Sequence, residues 1–595
     1  MNARQKYEVW CSDDCFDAAT KEELRSIAED AQEIEDRFYK DLEFGTGGMR
    51  GVIGAGTNRM NIYTVRKATQ GLANYIIKEG GEEKGIAIAY DSRNMSPEFA
   101  QETALCMAAN GIKAYIFPFL RPTPMLSFAV RELGCAAGVV ITASHNPSVY
   151  NGYKVYWADG AQITSPRDAQ IIHEVNAITS YDGVKTIGQD EAKRDGLYQE
   201  IGAKIDDRYM EELKKLVLRP DAIKSQADKL KIVYTPLHGS GNMPVRRILK
   251  ELGFAQVYVV EEQEKPDGNF PTVSYPNPED KSTFVLALAL AKKVDAEIVL
   301  ATDPDADRLG IYAKDPKTGI YESFTGNMSG MLILEYILSQ KKELGQLPDN
   351  GAVATTIVSG KMAKKITQYY QVALIETLTG FKYIGEQIKF FEEYKKNNEN
   401  KSNENKSINN KSINKKDNYD YEFLFGYEES YGCLQGTYAR DKDAVVAVMV
   451  LCEAAAYYKQ QGISLCEQME KLYAAYGYYR EDLCTVTLKG QDGAKQILNI
   501  MQAIRKNPPA KIGNNKVLSF TDYQLGEEQT NLPKSNVLYF ELEDDAWCCV
   551  RPSGTEPKIK YYIGVKGESG AQADEKLLQL TKAVEQFQFL PSINL

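Results

Sequence analysis

The sequence has no long apolar run and no apolar stretch near its start. Its longest unbroken apolar run covers residues 444–452 and ends at Glu453, whereas a membrane-spanning helix needs roughly 18 or more such residues. The first residues, MNARQKYEVWCSDD, do not resemble the apolar core of a secretory signal peptide. We therefore expect a cytoplasmic protein without a membrane partner.

Histidine is scarce and the cysteines are scattered. The chain has three histidines and ten cysteines, with no CxxC pair and no Cys/His cluster at zinc-binding spacing. This pattern argues against a structural zinc site and against a disulfide framework. Cys11 with Cys15, or Cys548 with Cys549, could form a redox pair, but free thiols in a reducing cytosol are the commoner explanation.

The chain also lacks an excess of positive charge. Its 71 lysines and arginines are outnumbered by 82 aspartates and glutamates, which gives a net charge of −11. This balance argues against a nucleic-acid partner, and an anionic substrate would need a local cationic pocket. With 595 residues, of which 43% are apolar, the chain is long enough for about four globular domains.

Short β-rich runs alternate with helical patterns over most of the chain. The runs include IAIAY at 86–90, EIVLAT at 297–302 and EFLFG at 422–426. Such alternation indicates βαβ units with mostly parallel sheets, and therefore an α/β fold. Near the C-terminus, VLYFEL, AWCCV and KIKYYIGV follow one another closely, which predicts an antiparallel α+β domain.

One segment differs in composition from the rest. Residues 395–418 are nearly all Lys, Asn, Ser and Glu, and the triplet NKS recurs within them. Such a segment can bury too little apolar surface to offset its ordering entropy. We therefore expect a disordered surface insert there.

The first loop with suggestive chemistry is TASHNP at 142–147, directly after the run GVVI. A serine at the end of a strand is suited to be an exposed nucleophile or a phosphate carrier. Ser144 beside His145 is weak evidence by itself, because a serine in an ordinary turn is commoner. A hydrolase triad is less favoured, since no GxSxG motif surrounds Ser144.

The second loop, TDPDADRLG, has aspartates at alternate positions after EIVLAT: Asp303, Asp305 and Asp307. Carboxylates ~4 Å apart repel by roughly 4 kcal/mol per pair at an effective dielectric near 20, and a divalent cation would relieve this. All-oxygen ligands favour a hard ion, and Mg²⁺ is the expected one beside a phosphate. An EF-hand is excluded because Arg308 and Lys314 stand where Gly and Glu are needed. A merely acidic turn stays open at this point.

Two further loops supply polar groups. GYEESYG at 426–432 offers carboxylates and a hydroxyl that suit sugar hydroxyls, although a polar turn would look the same. RPSGTEPKIK at 551–560 combines Arg551, Lys558 and Lys560 with hydroxyls and a glycine. These donors could surround a phosphate, with Arg551 binding it bidentately. A basic surface turn is an equal alternative for this loop alone. If the loop is functional, it is the cationic pocket that an acidic protein needs.

Together and in this order, the four loops resemble those of the α-D-phosphohexomutase superfamily, which contains the phosphoglucomutases and phosphomannomutases. FGTGGMRG at 44–51 also matches the family's N-terminal loop, and the likeness covers nearly the whole chain except the insert. The resemblance implies three mixed α/β domains and a C-terminal α+β domain around a central cleft, with one loop from each. We place these domains at residues 1–207, 208–322, 323–460 and 461–595.

The resemblance also implies a role for each loop. Ser144 would carry the phosphoryl group and join the three aspartates as a metal ligand. Glu428 and Ser430 would hold the sugar. The non-reacting phosphate would be bound by five residues of the last loop: Arg551, Ser553, Gly554, Thr555 and Lys558. Arg308 would face the transferring group, and Arg50 would line the cleft. The candidates for general acid or base are His145, Lys154 and Lys382.

The implied activity is that of a Mg²⁺-dependent phosphoglucomutase. It would interconvert glucose 1-phosphate and glucose 6-phosphate, with glucose 1,6-bisphosphate as intermediate and activator. TPLHGSG at 235–241 and ARDKDA at 439–444 are similar to the branch of bacterial α-phosphoglucomutases and of the phosphoglucomutase-2/phosphopentomutase type. Phosphomannomutase or phosphopentomutase activity therefore stays open. An aspartyl-phosphate phosphatase and a non-catalytic sugar-phosphate sensor are less favoured alternatives. We expect a small sugar phosphate as the partner and a monomer or weak dimer.

Overall fold

Four β-sheets follow one another along the part of the chain that the structure describes. The computed structural model describes residues 1–45, 47–403, 419–488, 490–553 and 558–587. The first three sheets mix parallel and antiparallel strands, and the last is antiparallel throughout. This confirms the predicted fold of three α/β domains and a C-terminal α+β domain. Within the described ranges, no helix is both long enough and apolar enough to cross a membrane.

The first sheet has the strand order β1-β5-β4-β2-β3-β6. Its strands are β1 (Gly48–Val52), β2 (Ile86–Tyr90), β3 (Ala114–Ile116), β4 (Ala137–Ile141), β5 (Tyr150–Trp157) and β6 (Tyr198–Glu200). The accompanying helices are α1 (Ala3–Ser12), α2 (Ala18–Ser26), α3 (Ala31–Phe38), α4 (Ile62–Lys78), α5 (Ser96–Ala109), α6 (Thr123–Glu132), α7 (Arg167–Asn176) and α8 (Gln189–Arg194). Strand β5 runs antiparallel to β4, whereas β4 is parallel to β2.

The second sheet has the order β11-β10-β9-β7-β8. Its strands are β7 (Ile232–Thr235), β8 (Val257–Val259), β9 (Ile298–Thr302), β10 (Leu309–Lys314) and β11 (Tyr321–Phe324). The helices around it are α9 (Ala203–Lys214), α10 (Pro220–Gln226), α11 (Asn242–Glu251), α12 (Glu261–Glu264) and α13 (Val285–Val294). Strand β10 reverses direction after β9, as β5 does after β4.

The third sheet has the order β13-β12-β14-β15. Its strands are β12 (Gly351–Thr356), β13 (Ala373–Thr377), β14 (Glu422–Glu428) and β15 (Gly432–Gln435). The nearby helices are α14 (Gly326–Glu343), α15 (Met362–Tyr370), α16 (Phe381–Asn403), α17 (Ala444–Gln460) and α18 (Leu465–Tyr476). The apolar runs of β2, β4, β9 and β12 are explained by burial of every residue in those strands.

The fourth sheet has the order β16-β21-β20-β19-β18-β17. Its strands are β16 (Tyr478–Thr487), β17 (Lys511–Ile512), β18 (Asn515–Asp522), β19 (Leu538–Leu542), β20 (Trp547–Pro552) and β21 (Lys558–Gly567). Its helices are α19 (Gly490–Lys506), α20 (Glu527–Thr530) and α21 (Gly570–Glu585). This domain has its own apolar core. A small cluster that includes Ile357, Leu378, Tyr539 and Trp547 joins it to the third domain.

The expected disordered insert is partly helical. Residues 395–403 continue α16, so the prediction of disorder is wrong for this part. The helix is anchored upstream by the buried side chains of Phe381, Ile384 and Ile388. Extending an established helix costs little, and lysine and glutamate favour it. Residues 404–418 lie outside the described residues.

Glu453 in α17 ties the third domain to the segment before α10. Its Oε1 accepts hydrogen bonds from the backbone N–H of Leu218 at 2.7 Å, from that of Arg219, and from the hydroxyl of Tyr336 at 2.9 Å. Its Oε2 is buried without a hydrogen-bond partner. Burial raises the pKa of Glu453 to about 7, although the three hydrogen bonds oppose this.

Because of the raised pKa of Glu453, we expect the free energy of unfolding to depend on pH. Its pKa rises from 4.5 in the unfolded chain to about 7 in the folded one, so its contribution is lost as pH increases through this range. Glu453→Gln removes the dependence. The stability of this variant relative to the parent should therefore increase by about 1 kcal/mol between about pH 6 and pH 8. Urea unfolding of both proteins measures this, and a pH-independent difference would contradict the prediction.

Candidate active site

The four predicted loops occupy equivalent positions in their sheets. Each connects a strand to the next antiparallel strand: β4 to β5, β9 to β10, β14 to β15 and β20 to β21. In the three α/β domains this is the place where a parallel strand ends and the chain turns back. Polar side chains at the carboxyl ends of such strands can meet in a shared cleft.

Ser144 is held in an unusual conformation beside the metal loop. Its φ of 52° lies in the left-handed region, which is uncommon for a residue with a side chain. Its backbone N–H donates to Thr142 Oγ1 at 2.8 Å. Its Oγ donates to Asp303 Oδ2 at 3.0 Å and lies 3.1 Å from His145 Nδ1. The serine hydroxyl therefore faces both the His145 ring and the acidic loop of the second domain.

The three predicted aspartates converge. Asp303, Asp305 and Asp307 are all buried, and each offers a carboxylate oxygen within 4.8 Å of the others. The Oδ1 atoms of Asp305 and Asp307 are buried without hydrogen-bond partners. Burial, followed by the negative charges of Asp305 and Asp307, raises the pKa of Asp303 well above its ordinary value. Unpaired buried carboxylate oxygens in an all-oxygen cluster fit a hard divalent cation, so the chain has a metal site.

Groups from two other domains contact this triad. Lys154 on β5 lies 2.8 Å from Asp305 Oδ2, which also accepts a 2.7 Å hydrogen bond from Thr123 Oγ1. Lys442 Nζ lies 3.2 Å from Asp307 Oδ2. Burial would lower the pKa of Lys154, but the charges of Asp305 and Asp307 outweigh it and raise this pKa. Lys154 is therefore held as an ammonium ion.

Positive charge surrounds His145. Burial lowers the pKa of His145 well below its ordinary value, and the charges of Arg308 and Arg50 lower it further. Arg50 donates to Asn146 Oδ1 at 3.1 Å, next to the serine loop. Arg308 forms an ion pair with Glu279. The structure thus brings both predicted arginines to the serine and metal loops.

The third domain contributes Glu428 at the end of β14. Its Oε1 accepts a 2.9 Å hydrogen bond from the backbone N–H of Gly380, and its Oε2 lies 3.8 Å from Lys442 Nζ. Because Lys442 also contacts Asp307, one lysine links the predicted sugar-binding and metal-binding loops. Ser430 lies half-buried in the same turn.

The C-terminal loop is only partly described. Arg551 on β20 pairs with Lys560 on β21, and the backbone N–H of Ser553 donates to the carbonyl of Lys558 at 2.8 Å. Gly554 and Thr555 lie outside the described residues. Burial lowers the pKa of Lys382, and the charge of Arg551 lowers it further. His145 and Lys154 contact the serine and metal loops directly.

Sequence reasoning missed three contributors to this site. Lys442 lies within ARDKDA at 439–444, but nothing in the local sequence marks it as a partner of Asp307. Thr123 and Arg93 carried no signal that distinguished them from ordinary polar residues. Arg93 donates to the carbonyl of Ser144 at 2.6 Å. All three reach the site through contacts between segments that are distant in sequence.

Known proteins are similar to this chain over most of its length. Residues 41–182, 207–318 and 325–476 match the family described as Phosphoglucomutase/phosphomannomutase, as its alpha/beta/alpha domains I, II and III respectively. The phosphoglucomutase of Staphylococcus haemolyticus (strain JCSC1435) is 34% identical over 560 residues, covering 91% of this chain and 94% of that protein. The phosphoglucomutase of Staphylococcus aureus (strain MSSA476) is 35% identical over 573 residues, covering 94% and 95%.

Solved structures share the fold at lower identity. A phosphoglucomutase/phosphomannomutase family protein from Burkholderia thailandensis has a TM-score of 0.64 and 18% identity, covering 93% of this chain and 98% of that chain. The phosphoglucomutase pp63/parafusin from Paramecium, in its open form, has a TM-score of 0.65 and 17% identity, covering 93% and 96%. With the family matches and the curated relatives, these results confirm the resemblance. The chain belongs to the phosphoglucomutase/phosphomannomutase family, a group of isomerases within the α-D-phosphohexomutase superfamily.

Proposed function

We propose that this chain is a Mg²⁺-dependent phosphoglucomutase that interconverts glucose 1-phosphate and glucose 6-phosphate through phospho-Ser144. The observation that carries the proposal is the 3.0 Å contact between Ser144 Oγ and Asp303 Oδ2. It places a hydroxyl that can carry phosphate against a buried triad of carboxylates. The curated relatives are named phosphoglucomutases and match over nine-tenths of the chain, which supports glucose as the sugar.

The proposed reaction exchanges phosphate between Ser144 and the two ends of the sugar. The oxygen of a free sugar hydroxyl forms a bond to phosphorus while the bond between phosphorus and Ser144 Oγ breaks. The proton of the sugar hydroxyl leaves to a basic side chain, and Ser144 Oγ takes up one proton. The resulting glucose 1,6-bisphosphate reorients, and its other phosphate returns to Ser144 by the same step in reverse. Such transfers depend mainly on positioning and on neutralising charge.

The residues around Ser144 suit these proton movements. His145 Nδ1 lies 3.1 Å from Ser144 Oγ, which is within reach for a proton held at that oxygen. Lys154 is held by Asp305 at 2.8 Å and supplies positive charge beside the transferring group. Arg308 and Arg50 add further positive charge at the same loops. Lys382 would serve as a further candidate for general acid or base.

The proposed metal ligands are Ser144, Asp303, Asp305 and Asp307. The buried carboxylate oxygens without partners fit a hard cation, and Mg²⁺ is the expected one beside a phosphate. When bound, Mg²⁺ neutralises charge on the transferring phosphoryl group.

The other end of the substrate would be held by the third and fourth domains. Glu428 and Ser430 would accept the sugar hydroxyls, and the link from Glu428 through Lys442 to Asp307 would couple sugar binding to the metal site. Arg551, Ser553, Gly554, Thr555 and Lys558 would bind the phosphate that does not react. Arg551 and Lys560 are paired on adjacent strands, and together they would supply the local positive charge that a phosphate needs in an acidic protein.

A coupled assay tests the proposal. The protein is supplied with Mg²⁺ and with glucose, mannose or ribose 1-phosphate, each with a trace of its bisphosphate. We expect rapid conversion of the glucose ester that EDTA abolishes. Preference for mannose or ribose would keep the mechanism and change the substrate. Labelled phosphate on an aspartate rather than on Ser144 would contradict the mutase and favour an aspartyl-phosphate phosphatase. No turnover of any ester would favour a non-catalytic sensor.

A further inference from the structure

Arg93, in the turn after β2, lies beneath the serine loop and binds its backbone. Its guanidinium donates hydrogen bonds to four carbonyls: those of Ser144 at 2.6 Å, Pro147 at 2.9 Å and Tyr150 at 3.0 Å, and that of Asn146. The side chain is fully buried. Burying a guanidinium is costly unless its N–H groups are bonded. The two terminal nitrogens of Arg93 bind this one loop, whereas its Nε forms an ion pair with Asp91 Oδ2 at 3.4 Å and makes no hydrogen bond.

The same turn also fixes the backbone N–H of Ser144, through Asp91 and Thr142. Asp91 Oδ2 accepts a 2.6 Å hydrogen bond from Thr142 Oγ1. Thr142 Oγ1 in turn accepts the 2.8 Å hydrogen bond from the Ser144 N–H. Arg93 binds the Ser144 carbonyl. The two peptide groups that flank the Ser144 Cα are therefore both fixed by residues two positions apart in one turn. This arrangement accounts for the left-handed φ of Ser144, which costs about 1–3 kcal/mol and needs support from its surroundings.

Arg93 also contacts the second domain. Its guanidinium lies 5.1 Å from the centroid of the Phe270 ring. Phe270 belongs to a segment that His238 orders, because the ring nitrogens of His238 lie 3.0 Å from the Lys265 carbonyl and 3.0 Å from Thr272 Oγ1. Arg93 thus connects the loop that carries Ser144 with the domain that carries the metal triad.

We propose that Arg93 is a positioning residue for phosphoryl transfer at Ser144, an inference that rests on the proposed function. Arg93 sets where Ser144 Oγ lies relative to the triad and to an incoming phosphate. It contacts neither Glu428 nor the C-terminal loop in the described residues, so sugar-phosphate affinity does not depend on it. A displacement of about 1 Å at a reacting atom can lower a rate by about 10²-fold.

The test compares Arg93→Lys with a matched control, Arg59→Lys. Lysine keeps the charge of Arg93 but cannot reach four carbonyls with one ammonium. Arg59 is also a buried arginine of the first domain, with 6% exposure, and it donates to the carbonyls of Asp36 and Asn58. Phe270→Leu adds a milder variant that removes the ring face and leaves the guanidinium in place.

Three quantities are measured for each dephosphorylated protein. They are the rate at which glucose 1,6-bisphosphate phosphorylates Ser144, the affinity for glucose 6-phosphate, and amide exchange in residues 142–151. For R93K we expect the rate to fall by about 10²-fold, the affinity to stay within about twofold, and exchange to increase in this loop alone. F270L should show the same pattern with a smaller loss. R59K should resemble the parent.

Three results would overturn the proposal. They are an R93K rate within about twofold of the parent, a parallel loss of sugar-phosphate affinity, and an equal loss of rate in R59K. If R93K fails to fold, an unchanged F270L overturns the proposal as well. A parent that takes up no phosphate on Ser144 would instead refute the proposed function. The amide exchange of R93K would then still decide whether Arg93 holds this loop.

Discussion

Replacing Ser144 with alanine should abolish mutase turnover while sugar-phosphate binding survives. Alanine keeps the backbone of the loop, whose carbonyl and N–H contacts do not need the hydroxyl. It removes the only atom of this residue that can carry phosphate. We expect turnover to fall by at least about 10⁴-fold, since covalent catalysis is lost. Calorimetric affinity for glucose 6-phosphate should stay within about twofold.

Ser430→Ala provides the matched control within the site. This serine follows Glu428 at the predicted sugar-binding turn, so its removal should raise KM while labelled phosphate still appears on Ser144. Phosphate uptake is measured by mass spectrometry after incubation with glucose 1,6-bisphosphate. Turnover of S144A near the parental rate would refute the phosphoserine mechanism. Loss of phosphate uptake in both variants would refute the division of roles between the two loops.

Asp303→Asn should weaken Mg²⁺ binding without destabilising the metal-free protein. Burial, followed by repulsion from Asp305 and Asp307, raises the pKa of the Asp303 carboxyl group. Without Mg²⁺, the amide should relieve this repulsion and raise the melting temperature above that of the parent. With Mg²⁺ at about 100 times its dissociation constant, the parent should gain about 2.7 kcal/mol of stability, whereas the variant should gain little. Turnover should fall by about 10²-fold or more, because charge neutralisation is lost.

Asp315→Asn is the control for this experiment. Asp315 lies on the surface after β10 and accepts hydrogen bonds from the Lys317 N–H and the Thr318 hydroxyl. Its variant should respond to Mg²⁺ and to EDTA as the parent does. A parent whose melting temperature and turnover do not change on chelation would contradict a metal site at the triad. A D303N variant that keeps the parental Mg²⁺ response would do the same.

The strands and the chemical loops were predictable because their signals are local. IAIAY, EIVLAT and EFLFG became β2, β9 and β14 with shifts of no more than two residues. Buried parallel strands must be apolar on both faces, and this leaves a continuous run in the sequence. The alternate aspartates of the metal loop were equally visible, since their mutual repulsion has few explanations other than a cation.

The insert and the general-base candidates were harder to predict. A Lys/Asn-rich composition indicates disorder when read alone, but α16 carries the chain to Asn403 because a buried face upstream has already formed the helix. His145, Lys154 and Lys382 were equal candidates by motif. The folded chain places His145 against Ser144 and Lys154 against Asp305.

The sequence by itself determined the fold class and the order of the loops, and it predicted Ser144 and the three aspartates as site residues. Only the tertiary structure decided which side chains lie beside them. It brings Ser144 to Asp303 across 159 residues, links Lys442 to both Asp307 and Glu428, and assigns Arg93 to the serine loop. Local patterns report which face of an element is buried and which turn is polar. They carry no information about which distant side chain completes a buried hydrogen bond or ion pair, because that depends on how the domains pack.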